Sequence, residues 1–205
     1  MQRSLVHVVV LAFLVVLLSP SSATAEDATP PARAQPACAA AADGGTPVAE
    51  PTPELADWQT VTLTDARTGE KFTVGDFLGC TVFVGTMATW CPSCGTQLAY
   101  AATAAEELDP DQFVFVAISV ETEISDEDLA RYADDASFDW LFSVASPDAL
   151  REIVDEFGRE SIVPPSTPHL IVNPDGSYGD LRTGGTPPEE IVKLMTDASG
   201  DTSGT

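Results

Sequence analysis

The sequence predicts an α/β fold in which a central mixed β-sheet is flanked by helices on both faces. Two short apolar runs, "TVFVGTM" at 81–87 and "FVFVAISV" at 113–120, read as strands buried on both sides. Segments with helical spacing of apolar residues follow each of them. A turn signature, "NPDG", then separates "HLIV" from "SYGDLR", as in a hairpin that closes the sheet.

The elements follow in order. "WQTVTLTD" and "EKFTV", joined through "ARTG", predict an N-terminal β-hairpin extension. After "TVFVGTM", the residues Leu98, Ala101, Ala102, Ala105 and Leu108 recur at helical spacing from Ser93 until Asp109-Pro110 stops them. A capping-box pattern from Ser125 to Asp128 opens a helix through Leu129 and Tyr132. "WLFSV" is a short strand. Ser146-Pro147 starts a helix that carries Leu150, Ile153, Val154 and Phe157 and is closed by Gly158. Thr186 is the expected cap of a last helix, with Pro187 at its first position, Glu189 completing the box, and Ile191, Val192, Leu194 and Met195 on its apolar face.

Flanking segments lack such patterns. Met1-Gln2-Arg3, the apolar stretch from Leu5 to Leu18 and Ala23-Thr24-Ala25 before Glu26 read as a secretory signal over 1–25. The apolar stretch is shorter than the roughly 20 residues of a membrane-spanning helix, so an uncleaved anchor is the alternative reading. Residues 26–53 are rich in Ala, Pro and acid and read as a disordered linker. The domain is expected over 54–197, with a disordered tail over 198–205.

The chain has 205 residues, 44% of them hydrophobic, which suffices for one domain with a real core. Its 32 acidic and 9 basic residues give a formal charge of −23, which makes nucleic acid and anionic membrane surfaces poor partners. Export predicts an extracytoplasmic location, periplasmic or secreted, with membrane contact only if the N-terminal segment is uncleaved. In such a compartment the four cysteines favour disulfide chemistry over zinc.

The chemistry concentrates at "ATWCPSC". A buried strand leading into C-P-S-C at a helix start places Cys91 where unpaired N–H groups and the helix dipole favour a thiolate. Cys94, one turn on, is placed to resolve a mixed disulfide. Pro92 fits the first turn because its missing N–H has no intrahelical partner there. An inert structural bridge and a zinc site are the alternatives; zinc needs further ligands, for which Cys38, Cys80, His169 and carboxylates remain.

"VFVGTMATWCPSC" resembles the active-site strand and helix of thioredoxin-fold proteins, and A-T-W-C-x-x-C is similar to the TlpA/ResA type of exported thiol-disulfide oxidoreductase. The resemblance runs from about Asp57 to Asp197 and includes the leading hairpin, the extra helix and strand after the active site, and "LIVNPDG". It implies a thioredoxin-like fold and a cis-proline facing the cysteines. Thr167-Pro168 is the best match by its spacing to Gly176, with Pro165 as competitor. Trp90 is expected to shield the thiol, and Trp90, Pro92, Thr167 and Pro168 are the expected substrate-facing residues.

The resemblance further implies protein disulfides as substrates, as in cytochrome c maturation or copper-site assembly, and a membrane thiol-disulfide relay as electron source. No cofactor is implied. The Pro-Ser dipeptide leans toward a reductant.

The chain departs from the family at three positions. Gly85 stands where thioredoxin has a buried Asp, Gln97 where many TlpA/ResA proteins carry Glu, and Ala99 where they carry a helix-kinking Pro. Proton transfer at Cys94 therefore needs water or another group.

His169, which follows Pro168, has three readings: a structural strand-end residue, a charge that tunes the thiolate, or a copper ligand with Cys91 and Cys94. The copper reading resembles the Sco-type chaperones, whose cysteines are spaced C-x-x-x-C instead. A peroxide-reducing enzyme of the peroxiredoxin type is a further class, but its motif is not visible. Cys80 reads as a small buried residue, with a Cys38–Cys80 bridge as alternative.

Overall fold

The computed structural model describes residues 54–200. The signal, the linker, Cys38 and the end of the tail lie outside the described residues. Along the chain run α1 (Asp57–Thr60), β1 (Leu63–Thr64), β2 (Lys71–Phe72), β3 (Thr81–Met87), α2 (Pro92–Ala105), β4 (Phe113–Ser119), α3 (Asp126–Asp135), β5 (Leu141–Val144), α4 (Pro147–Phe157), β6 (His169–Val172) and α5 (Pro188–Ser199). Short 3-10 turns occupy Val74–Phe77, Arg159–Ile162 and Pro164–Ser166.

The main sheet has the order β5-β4-β3-β6, with β3/β4 and β4/β5 parallel and β6 antiparallel to β3. It is the mixed sheet that the apolar runs predict. β1 and β2 pair as a separate antiparallel hairpin. That hairpin is shorter than expected, because the Trp58 end of its first strand is helical. Gln59, buried, holds this helix: its Oε1 accepts the Ala56 N–H at 2.9 Å and its Nε2 donates to the Gly176 carbonyl at 2.8 Å. The C-terminal hairpin is likewise thinner than expected. After β6, "SYGDLR" pairs only through the isolated bridges Val172–Tyr178 and His169–Arg182.

Alternation along β3 and β6 divides the core into two layers. Phe83, Met87 and Ile171 face α2, α3 and α5, against Leu98, Leu129, Phe142, Ile191 and Met195. Val82, Val84, Leu170 and Val172 face the hairpin and α4, against Trp58, Phe72, Phe77 and Ile153. Burial of each large apolar side chain contributes about 1.5–3 kcal/mol. Arg67, in the β1–β2 turn, ties the hairpin to α3 and β5, with Nε on Asp134 at 2.6 Å and Nη1 on the Trp140 carbonyl at 2.7 Å.

The caps follow the sequence except at α5. Ser125 and Ser146 cap α3 and α4 through the N–H groups of Asp128 and Ala149. At α5, Pro187 takes the N-cap position without a side-chain bond, and Thr186 is buried and turned to other partners. The helix also runs past the expected boundary, through Ser199 to a left-handed Gly200 at φ 72°, because Ala198 packs on the core. In the "NPDG" turn, Gly176 has φ 84°, and a Cβ there would lie 2.8 Å from Leu55 Cδ2. The left-handed φ favours glycine at that position, while the Leu55 side-chain end could shift to admit a Cβ.

Candidate active site

β3 delivers the chain to its C-terminal end, where Ala88–Trp90 turns into α2 and the Cys91 N–H bonds the Ala88 carbonyl at 3.1 Å. Cys91 is the N-cap of α2, with Pro92 in the first turn. Cys91 and Cys94 are joined as a disulfide. The Cys94 N–H donates to Cys91 Sγ at 3.1 Å, and Ser93 Oγ lies 3.3 Å from the same sulfur. That N–H, at a helix N-terminus, lowers the energy of a negative charge on Cys91.

The 3-10 turn Pro164–Ser166 covers the pair. The Pro164 carbonyl lies 3.1 Å from Cys94 Sγ, and the Ser93 hydroxyl donates to the Pro165 carbonyl at 3.1 Å. In the dithiol form, the Pro164 oxygen is placed to accept the Cys94 S–H. The two cysteines therefore have different environments: an N–H donor at Cys91, a carbonyl acceptor at Cys94.

Thr167 and Pro168 differ from expectation. Among the described residues no peptide bond is cis. The 3-10 turn and a left-handed Thr167, at φ 49° and ψ 57°, make the reversal that a cis bond was expected to make. Both Thr167 and Pro168 are buried, and the Pro168 carbonyl accepts the Thr86 N–H at 3.0 Å. The exposed rim near the cysteines consists of Trp90, at 61% exposure, Pro92, Val163 and Pro165. Cys91 itself is 2% exposed in the disulfide form, as is Cys94. What distinguishes the two is hydrogen bonding rather than access.

His169 is buried against Phe83, with ring centroids 5.4 Å apart. Its Nδ1 lies 2.8 Å from the Thr167 carbonyl and its Nε2 2.9 Å from Thr186 Oγ1. A carbonyl only accepts, so Nδ1 carries the proton and Nε2 accepts from the Thr186 hydroxyl. Burial pushes the imidazole pKa down, opposed first by the Thr167 carbonyl; Arg182 adds to the lowering and Glu190 opposes it. The ring is neutral, with both nitrogens used inside the protein. It does not reach the cysteines with a nitrogen to spare. Among the described residues, no group of three or more His, Cys, Asp or Glu side chains comes together as metal ligands do.

This neutral imidazole has a consequence for stability. Its folded pKa lies below the ordinary value of 6.5, so between the two values the unfolded chain binds the proton and the folded chain does not. The contribution is therefore fully present above 6.5 and is lost as pH falls below it. Urea titrations from pH 7.5 to 5 are expected to show falling stability in the wild type, and a flatter slope in His169→Gln. The carboxylates held low by hydrogen bonds, Asp109, Asp128 and Asp175, lose their contribution as pH falls from their ordinary 3.8 through their lowered values, below the window of this test.

The departures at Gly85 and Gln97 now have physical causes. A Cβ on Gly85 would lie 3.2 Å from Phe83 Cε1, so the Phe83 ring would have to give way to a side chain there, whereas the Pro168 carbonyl at 3.7 Å and His169 Cβ at 3.8 Å are at ordinary contact. Gln97, one turn beyond Cys94 and 5% exposed, accepts the Thr186 N–H at 2.7 Å through Oε1 and donates to the Thr186 carbonyl at 3.4 Å through Nε2. A glutamate cannot donate to that carbonyl. Gln97→Glu is expected to cost about 1–3 kcal/mol at pH 7, read from urea midpoints, and less as the pH is lowered and the carboxyl protonates.

Cys80 is buried before β3, as expected, and is disulfide-bonded; the Cys38–Cys80 bridge weighed as its alternative reading involves Cys38, which lies outside the described residues. Sequence reasoning missed the covering turn Pro164–Ser166, the Gln97–Thr186–His169 chain, and Glu121, whose carboxylate binds Thr89 beside the site. A polar residue closing an apolar strand, as Glu121 nearly does, was the only available signal for it.

Comparison with known proteins agrees with this picture. The chain is similar in structure to a thiol:disulfide interchange protein of the thioredoxin family from Chlorobium tepidum TLS, at TM-score 0.60 and 18% identity over 73% of this chain and 97% of that one. It is similar to MTB dsbF, solved in mixed oxidized and reduced forms, at TM-score 0.55 and 16% identity over 71% and 100%. Yeast Sco1 with copper bound matches at TM-score 0.57 and 16% identity over 68% and 90%. At these identities the likenesses establish the fold. Curated protein sequences yield no match. The AhpC/TSA family matches residues 55–176, more than half of the chain. With a disulfide-linked cysteine pair at the head of α2 on a thioredoxin fold, the chain belongs to the AhpC/TSA family.

Proposed function

We propose that the protein reduces disulfides in other proteins outside the cytoplasm, with Cys91 as the attacking thiolate and Cys94 as the resolving thiol. The observation that carries this reading is the asymmetry of the pair: the Cys94 N–H points at Cys91 Sγ, whereas Cys94 Sγ faces the Pro164 carbonyl. Cys91 thiolate attacks a substrate disulfide, forming a mixed disulfide and releasing one substrate thiolate. Cys94, giving up its proton, then attacks Cys91 Sγ; the Cys91–Cys94 bond forms and the second substrate thiolate leaves. Two electrons pass to the substrate, and a thiol relay in the membrane restores the dithiol.

The expected substrates are disulfides of cytochrome c maturation or copper-site assembly. Support for export lies in the signal-like N-terminus. Among the described residues, no helix is long and apolar enough to cross a membrane. The contact surface is assigned to the exposed rim of Trp90, Pro92, Val163 and Pro165. Thr167 and Pro168, expected as substrate-facing residues, are buried and stand outside that rim.

Copper delivery is the second reading, favoured by the likeness to yeast Sco1 with copper bound. The donor set fits it poorly, since His169 offers no uncommitted nitrogen. Reduction of insulin by the dithiol-fed protein, run beside a Cu(I) titration with a competing chelator, separates the two. Catalysed reduction with no copper affinity that depends on His169 supports the oxidoreductase. A tight Cu(I) complex lost in His169→Ala, without catalysed reduction, would overturn it.

A further inference from the structure

We propose that Glu121 is a positioning residue of the dithiol site: its carboxylate grips Thr89, so holding the turn that presents Trp90 and Cys91, and its negative charge opposes formation of the Cys91 thiolate. The proposal rests on the reading of Cys91 as the attacking thiol.

The geometry is specific. The Thr89 N–H donates to Glu121 Oε2 at 2.5 Å, and the Thr89 hydroxyl reaches Oε2 at 2.9 Å and Oε1 at 3.2 Å. Thr89 stands two positions before Cys91, inside the turn closed by the Cys91 N–H on the Ala88 carbonyl. One carboxylate therefore takes both donors of the residue at the middle of the site's leading turn.

Glu121 is itself held in place. The Val120 N–H bonds the Met87 carbonyl at 2.9 Å, which carries the β3/β4 pairing one step beyond Met87 and Ser119. The Glu121 N–H donates to Ser119 Oγ at 3.3 Å, and its carbonyl accepts the Ile124 N–H at 3.1 Å. Across from it, Tyr132 of α3 has its phenol pKa raised, first by burial and then by the Glu121 charge. Its hydroxyl lies 3.7 Å from where a Cβ on Gly95 would stand, against the opening of α2. Glu121 thus sits where β3, β4, α2 and α3 converge.

The charge acquires weight from what is missing elsewhere. Gly85 and Gln97, the two positions where the resemblance to thioredoxin and TlpA/ResA proteins implies a carboxylate, are both neutral here. An anion held on Thr89, two positions before Cys91, opposes ionisation of that thiol, against the helix N-terminus that favours it.

The test uses the reduced full chain and four variants: Glu121→Gln, Glu121→Asp, Glu121→Ala and Thr89→Val. The readouts are the pH profile of Cys91 alkylation and the rate of insulin reduction. Glu121→Gln, which removes the charge but keeps an acceptor for Thr89, is expected to increase alkylation below the thiol's titration by about threefold or more, as loss of a nearby like charge does. Glu121→Asp and Thr89→Val keep the charge and loosen the grip; slower insulin reduction with an unmoved pH profile is expected of both. Glu121→Ala should show both effects. A purely structural role would lower thermal stability without moving any pH profile, and that result overturns the proposal. Should the Gln variant fail to fold, the Asp and Val variants decide, and wild-type rates in both sink it. If the wild type itself reduces no disulfide, the oxidoreductase reading fails rather than the role of Glu121.

Discussion

Cys91→Ser is expected to abolish insulin reduction, with a loss on the order of a thousandfold or more, as when the nucleophile of a covalent mechanism is removed. A serine hydroxyl at this position has the same N–H donor but does not ionise at neutral pH, so the helix terminus has no anion to stabilise. The Cys94 N–H that now meets Cys91 Sγ would bond the serine oxygen, and the fold should be retained. Turnover measured beside a thermal melt checks both statements. Appreciable reduction by a folded Cys91→Ser protein would assign the attack to Cys94.

Cys94→Ser is expected to behave differently. It keeps the nucleophile and loses the resolving thiol, so turnover should fall by a similar factor while a mixed disulfide with substrate accumulates at Cys91. The trapped species is measurable as an added mass that dithiothreitol removes. The Pro164 carbonyl, placed for the Cys94 S–H, would accept the serine O–H equally well, so the covering turn should stay in place. Absence of a trapped adduct, with insulin still cleaved at one sulfur, would mean that Cys91 is not the residue attacked first.

How much of this was legible in the sequence depends on the range of the interaction. β3, β4 and α2 could be read because apolar runs and C-P-S-C are local patterns, and "TVFVGTM" gives β3 from end to end. The two caps at Ser125 and Ser146 are equally local. Thr186 shows where such reading stops. As Thr-Pro before an acidic turn it resembles a cap, yet its hydroxyl serves His169 and its backbone serves Gln97, partners that only folding brings near. The reversal before β6 is a similar case. A proline at the right spacing implied a cis bond, whereas a left-handed Thr167 after Pro164–Ser166 does the turning. The grip of Glu121 on Thr89 spans 32 positions and leaves no spacing signature at all.

The electron supply follows from the potential of the pair, and the most direct test of the central claim is its equilibrium redox titration in the full chain, scored by thiol alkylation and mass. A single two-electron transition at Cys91 and Cys94 is expected near thioredoxin's value, about −270 mV, as a reductant fed from a membrane relay requires. A value near that of the strong oxidant DsbA, about −120 mV, would make the protein a disulfide donor and contradict the proposed function.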